Sequence, residues 1–447
     1  MSQPCPKNTP FWLLLIGIFL ILTSKHLLTE GMFLDGVTYA GISRNMAEGT
    51  GTFWNPFYTQ TLYPEFRQHP PLALGLEALA FRMLGDHWWV EKLYSLQTIL
   101  LSGLLIALIW RRTSNDGRTA WLPLLFWISI PLVSWCTTNN LLENTMSVFV
   151  LLSVYIIIIR YQQNNRLWLP LAGASLLLAF LTKGFTGLFP LVFPIIYCTV
   201  EQERKVLQGI IDSAWLLVSI VGLTALMFWV FPSSLPYLKD YFSIQVLGNG
   251  LHEVTTSTRF FIVFQLLIQS AIPFAIIAIL FILRKILKQN HIGIFGNPSN
   301  KTWFVTFLVL GLTGVLPMMV SVKQRDFYML AALPFLALAF GHLTCTITNT
   351  CVLKIKAVGR NWMTFFASMV LIVGLFINFS QIGKYGRDEA FLMEMKKALV
   401  EIPEHEIISI SQEDYTQWTW HAYFMRYGKV SLDDRQSHTY SFSYHPR

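Results

Sequence analysis

The chain has 447 residues, of which 53% are hydrophobic, 15% aromatic and only 13% charged, with a net charge of +8. A soluble chain of this length carries nearer a quarter charged residues, so a water-soluble globular protein is excluded. The positive balance calls for no nucleic-acid partner, because no run of Lys and Arg lies on a soluble face.

Apolar stretches of about 20 residues, the length that crosses ~30 Å of hydrocarbon, recur along the sequence. Eleven transmembrane spans are expected, at 11–29, 90–110, 119–136, 141–160, 167–182, 184–200, 207–231, 261–283, 302–321, 326–345 and 361–380. Lys183-Gly184 divides the long apolar run 167–200 into two. The first span is followed by Thr29-Glu30-Gly31-Met32, with no small-residue cleavage site, and reads as an uncleaved anchor.

Basic residues set the orientation. With the N-terminus cytoplasmic, clusters such as Arg111-Arg112, Arg204-Lys205 and Arg284-Lys285 fall at inner helix ends. An odd number of spans then leaves the C-terminal tail outside. Five cysteines (Cys5, Cys136, Cys198, Cys345 and Cys351) show no paired spacing and read as apolar fillers.

Loop one, residues 30–89, is long and ordered in composition. The spacing predicts a helix over 35–48, with Asp35 at its N-cap and Gly49 ending it. A second, over 71–85, is started by Pro70-Pro71 and stopped by Gly85. Both are too short to span and suit helices in the interface plane. A second outer loop, 232–260, carries Lys239, Asp240, His252, Glu253 and Arg259. The polar, aromatic tail predicts a small α/β unit: a strand near 406–411, a helix over 413–427 and a strand at 430–432. Two domains are expected, a membrane domain over 1–383 and an extracytoplasmic unit over 384–447.

The chemistry-bearing residues gather on the outer side. Asp35, at the outer end of the first span, either takes the proton of an attacking hydroxyl or only caps its helix. Glu143, at the outer start of the fourth span, is a second carboxylate facing the same water, or again a cap. His69 is aimed by the prolines that follow it and can bind a phosphate or a hydroxyl, with Glu65 and Arg67 nearby. Lys183, Arg259, Lys323 and Arg325 are cations on the outer side, where the orientation bias gives them no reason to be; they suit a lipid phosphate, or contact headgroups. No Gly-rich nucleotide loop, P-loop or zinc-type motif is present.

In this order the residues are similar to a known family. Asp35 with Tyr39-Ala40, His69-Pro70-Pro71-Leu72, Leu142-Glu143, Leu181-Thr182-Lys183-Gly184 and Lys323-Gln324-Arg325-Asp326-Phe327-Tyr328 together resemble the polyprenyl-phosphate-sugar-dependent glycosyltransferases of the GT-C fold. These include the lipid A aminoarabinose transferases and the protein O-mannosyltransferases. The resemblance covers most of residues 10–380. It implies an all-α polytopic membrane fold with an extracytoplasmic site; the short form and small tail point to a bacterial inner membrane. The resemblance further implies a polyprenyl-phosphate-linked sugar as donor and a hydroxyl of a lipid, glycan or protein as acceptor; direct displacement by one base predicts inversion. On this pattern Asp35, Glu143 and His69 are the catalytic group. Tyr39, Glu65, Arg67, Lys183, Arg259, Lys323, Arg325 and Tyr328 are the substrate-binding residues. No cofactor is expected, although Asp35, Glu143 and His69 are also a set able to hold a divalent ion. Two departures stand out: many relatives carry Asp-Glu where Asp35-Gly36 stands here, and the aminoarabinose transferases have Glu-Lys-Pro where this chain has Gln68-His69-Pro70. A transporter of lipid-linked sugars and a glycan polymerase or ligase are the rival readings.

Overall fold

The structure, a computed structural model, describes residues 8–201, 203–247, 258–286, 293–321 and 324–444. The helices in chain order are α1 (Thr9–Thr23), α2 (Leu34–Glu48), α3 (Leu72–Leu84), α4 (Val90–Thr113), α5 (Trp121–Ile128), α6 (Pro131–Thr138), α7 (Leu142–Gln163), α8 (Trp168–Lys183), α9 (Phe193–Val200) and α10 (Val206–Val230). They continue as α11 (Ser234–Tyr241), α12 (Phe261–Gln269), α13 (Ala271–Ile286), α14 (Pro298–Val315), α15 (Leu333–Leu353), α16 (Ala357–Phe379), α17 (Glu389–Ala398), α18 (Gln412–Tyr415) and α19 (Trp418–Gly428). Strands β1 (Gly51–Thr52) and β2 (Asn55–Pro56) make a small hairpin, and β3 (Ile407–Ser409) pairs in parallel with β4 (Ser431–Asp433).

The chain is a multi-pass membrane protein. Among the described residues seven helical stretches are long and apolar enough to cross a membrane. Two bent pairs, Gly117–Ile128 with Pro131–Thr138 at 82° and Phe261–Gln269 with Ala271–Ile286 at 46°, bring the number to at most nine. The eleven expected spans are therefore not confirmed. The bend before α6 falls at Pro131, which cannot continue the preceding ladder; Gln269 Oε1 accepts from the Leu132 N–H at 2.9 Å and satisfies one donor that the break leaves open. The stretch Trp168–Val200, counted once among the seven, is helical over 33 residues, and its two halves reach opposite ends of α7. Gly184, at φ 80°, makes the turn, and Gly187 packs onto Ala179. Lys183 thus stands beside Glu143 at one end of α7, whereas Tyr197 lies 4.8 Å from Tyr161 at the other.

Loop one and the tail pack together at the Glu143 end. α2 is not an exposed interfacial helix: most of it from Gly36 to Met46 is buried, against α3 on one side and α19 on the other. Its N-cap is Phe33, in extended backbone, so Asp35 sits inside the first turn and is not the cap that the sequence suggested. Gly49, left-handed at φ 90°, closes the helix as expected. The tail builds an apolar core from Phe391, Leu392, Met395, Ile408, Phe424 and Leu432, and draws Met32 and Val37 into it. The single helix expected over 413–427 is two. Ser411 Oγ accepts from the Asp414 N–H at 3.1 Å and caps α18, and Gln417 leaves the helical region before α19.

Candidate active site

Asp35 owes its place to the segment 31–33 before it. The Phe33 N–H donates to Asn139 Oδ1 at 2.7 Å. Tyr423 Oη donates to the Met32 carbonyl at 3.0 Å. The buried Lys92 ammonium donates to the carbonyls of His26, Gly31 and Thr138, at 2.7, 3.3 and 3.0 Å. Backbone groups that would otherwise be buried without partners are satisfied by side chains from α4, α19 and the turn at Asn139-Asn140. The approach of that turn is so close that a Cβ on Gly36 would lie 2.0 Å from the Asn139 carbonyl oxygen. Where many relatives carry a second acidic side chain, this chain has room for none.

Half-buried Asp35 stands within electrostatic reach of Lys183, Glu143, Tyr39 and Tyr328. Lys183 Nζ and Glu143 Oε1 form an ion pair at 2.9 Å. Glu143 Oε2 makes no hydrogen bond among the described residues. The Lys183 ammonium also lies over three rings, Tyr328 at 5.4 Å and Tyr39 and Phe327 at 5.9 Å. Phe33, Trp135 and Phe327 stack into an aromatic wall beside it, with centroids 5.2–5.9 Å apart. The His69 ring meets the Tyr39 ring edge-on at 5.7 Å, and its carbonyl accepts from Tyr237 Oη at 2.7 Å. Burial drives the Tyr39 phenol well above its ordinary range, with Lys183 opposing, so it remains a neutral hydroxyl.

The structure thus brings Asp35, Tyr39, His69, Glu143, Lys183 and Tyr328 into one cluster. The remaining expected binders are placed differently. Arg67 pairs with Glu65 at 2.6 Å and with Asp240 of α11, so both serve to clamp loop one to the segment after α10. Gln68 bonds Gln245 in the same clamp. Arg259 and Arg325 are exposed, and the Arg259 carbonyl accepts from Gln324 at 3.4 Å. Lys323, His252 and Glu253 lie outside the described residues.

Glu77, in α3, escaped the sequence reading. It is fully buried, accepts from Ser43 Oγ at 2.8 Å and from Asn140 Nδ2 at 2.7 Å, and burial pushes its carboxyl up to about 8. Asn140 Nδ2 also reaches the Gly36 carbonyl at 3.3 Å, so Glu77 is linked to the residue beside Asp35. Among the described residues no three His, Cys, Asp or Glu side chains converge as metal ligands would. A fixed ammonium, a half-exposed carboxylate and an aromatic wall can hold a phosphate and accept a proton from a hydroxyl next to it.

Comparison with known proteins bears on the fold. Residues 68–231 match the family described as dolichyl-phosphate-mannose-protein mannosyltransferase. No curated protein sequence matches the chain. A crystal structure of ArnT from Cupriavidus metallidurans bound to undecaprenyl phosphate aligns with a TM-score of 0.64 at 14% identity, covering 95% of this chain and 86% of that one. The apo form of the same protein aligns at 0.61 and 14%, covering 93% and 83%. An oligosaccharyltransferase from Archaeoglobus fulgidus, tethered to an acceptor peptide, aligns at 0.50 and 12%, covering 97% of this chain and 61% of that one. The chain has the GT-C fold, and the family match agrees with the resemblance read from its residues.

Proposed function

We propose that this protein is an integral-membrane glycosyltransferase that moves a sugar from a polyprenyl-phosphate donor to a hydroxyl acceptor on the extracytoplasmic side of a bacterial inner membrane. The observation that carries the reading is the buried Lys183–Glu143 pair next to half-exposed Asp35. In such a donor the leaving group is a phosphate, already a stable anion. The enzyme has to balance the charge that develops on it and take one proton from the acceptor. Lys183 supplies the first and Asp35 the second. The acceptor oxygen forms its bond to the anomeric carbon as the bond from that carbon to the phosphate oxygen breaks. The hydroxyl proton passes to Asp35, and polyprenyl phosphate leaves against Lys183. A single displacement inverts the anomeric centre. Glu143, held by the lysine and closed to water, positions Lys183 in this reading, and Tyr39, Tyr328 and His69 line the sugar's place. The step as written uses no metal. Binding of undecaprenyl phosphate by the ArnT of like fold agrees with a lipid phosphate donor.

The test feeds membranes containing the wild type or Asp35→Asn a panel of radiolabelled polyprenyl-phosphate sugars and follows release of free polyprenyl phosphate. Release by the wild type with at least about a hundredfold loss in the variant supports the reading. Release that survives the substitution removes Asp35 as base. No release with any donor from folded protein overturns the transferase reading.

A further inference from the structure

At the opposite end of α7 from Glu143 the molecule holds a polar cavity of about 770 Å³, between the ends of α4, α7 and α9 and the starts of α10 and α14. Its floor is the buried pair Tyr197 and Trp303, stacked on one another at 5.0 Å, so neither ring offers both faces to a base or sugar. Five charged side chains line it: Arg112, Arg204 and Lys205, and Glu201 and Glu203. Among the described residues none of the three cations lies within ion-pair distance of either carboxylate. Arg112 is steadied by Gln162 Oε1 at 3.1 Å, and Arg204 by the Tyr161 carbonyl at 3.1 Å and the Tyr161 ring at 5.0 Å. Ser114 Oγ, also in the lining, is buried with no hydrogen-bond partner. Charges of both signs set around one space without pairing to each other fit a ligand that carries both signs itself. Gln208 lines the cavity, while Leu207, Ile210 and Ile211 beside it on α10 are exposed and apolar. The cavity therefore opens next to a helix face made for lipid chains.

We propose that this cavity binds the headgroup of a phospholipid bearing a phosphate and a primary ammonium, from the leaflet opposite the candidate active site. The phosphate lies among Arg112, Arg204 and Lys205, and the ammonium against Glu201 and Glu203. Basic clefts between membrane helices are common seats for lipid headgroups. The two acids are what select a zwitterion over an anionic lipid. The inference does not depend on the transferase reading, since it shares no residue with that site.

Full-length protein, delipidated in detergent, is titrated with phosphatidylethanolamine, phosphatidylglycerol, phosphatidylcholine and inorganic phosphate while bound lipid is counted by native mass spectrometry. One phosphatidylethanolamine should bind at least tenfold more tightly than the other three. Arg112→Gln with Lys205→Gln should weaken it at least tenfold. Glu203→Gln should bring phosphatidylglycerol level with it. These side chains are exposed, so each variant should melt as the lipid-free wild type does, which keeps a folding defect from imitating the result. Equal binding of phosphatidylglycerol to the wild type, binding of inorganic phosphate alone, or binding unmoved by the substitutions overturns the proposal.

Discussion

Lys183 Nζ stands 2.9 Å from Glu143 Oε1, and both side chains are nearly closed to water, at 8% and 1% exposure. A buried pair of this kind contributes little net stability, but removing one partner strands a charge and costs about 3–5 kcal/mol. Lys183→Gln should therefore lower the melting temperature and, by taking away the cation beside the leaving phosphate, cut turnover about 10²–10³-fold. Replacing both residues, Lys183→Met with Glu143→Leu, should restore most of the melting temperature while turnover stays lost. A double variant as unstable as the worse single one would rule out the pair as the source of the cost.

Glu77 sets a pH dependence with a definite sign. Burial, aided by the nearby Glu91 carboxylate and opposed by Ser43, Asn140 and Arg426, raises its folded pKa to about 8 from an ordinary 4.5. The folded state thus keeps a proton that the unfolded chain releases, and stability falls as pH climbs from 4.5 towards 8. Glu77→Gln keeps the shape and removes the titration. Its melting temperature relative to the wild type should rise steadily across that window. Parallel melting curves for the two proteins would mean that Glu77 is ionised in the fold at neutral pH.

The contrast between Glu77 and Asp35 shows what could be read in advance. Asp35 was legible because it follows an apolar span, and the helices around it because Gly49, Gly85 and Pro70-Pro71 mark their ends locally. Glu77 lies in an apolar helix like any solvated charge, and its partners Ser43 and Asn140 are 34 and 63 positions away. Arg67 looked like a substrate-binding residue because its partner Asp240 is 173 positions away, in α11. Lys183 and Glu143 were each legible as outer-side charges, but their pairing required the tertiary fold.

Gly36 should tolerate no side chain. The Cβ of Gly36→Ala would meet the Asn139 carbonyl at 2.0 Å, a backbone atom that is itself tied to the turn carrying Asn140. Overpacking of this kind costs about 1–3 kcal/mol and would push α2, with Asp35 on it, away from Glu143. Both the melting temperature and turnover should fall. Gly36→Glu, which recreates the acidic pair of many relatives, should be worse still. Wild-type turnover in Gly36→Ala would show that the turn gives way freely and does not hold Asp35.

Arg426 ties the tail to the site. Its guanidinium reaches Glu91 at the start of α4 through two bonds of 2.9 and 3.1 Å, and Asp86 at 2.5 Å. Asp86 also accepts from Arg44 of α2 at 3.0 Å. Burial would raise the Asp86 carboxyl, but the two guanidiniums outweigh it and hold it below its ordinary range. Glu91 is 1% exposed, so Arg426→Met strands a buried carboxylate and should cost about 3–5 kcal/mol. Arg426→Lys keeps the charge but not the two-pronged geometry, and should fall between. Removing Glu91 as well should recover much of the loss in a double-mutant cycle. The catalytic consequence separates a positioning role from a merely structural one. Lys92, next to Glu91, holds the Gly31 carbonyl, and Tyr423 of the same tail helix holds that of Met32. Loosening that end of the molecule should displace Asp35 while leaving the Lys183 phosphate seat intact. At a temperature where Arg426→Lys is fully folded, kcat should drop and the donor KM should hardly move. Equal losses in both, or none in either, would confine Arg426 to stability alone.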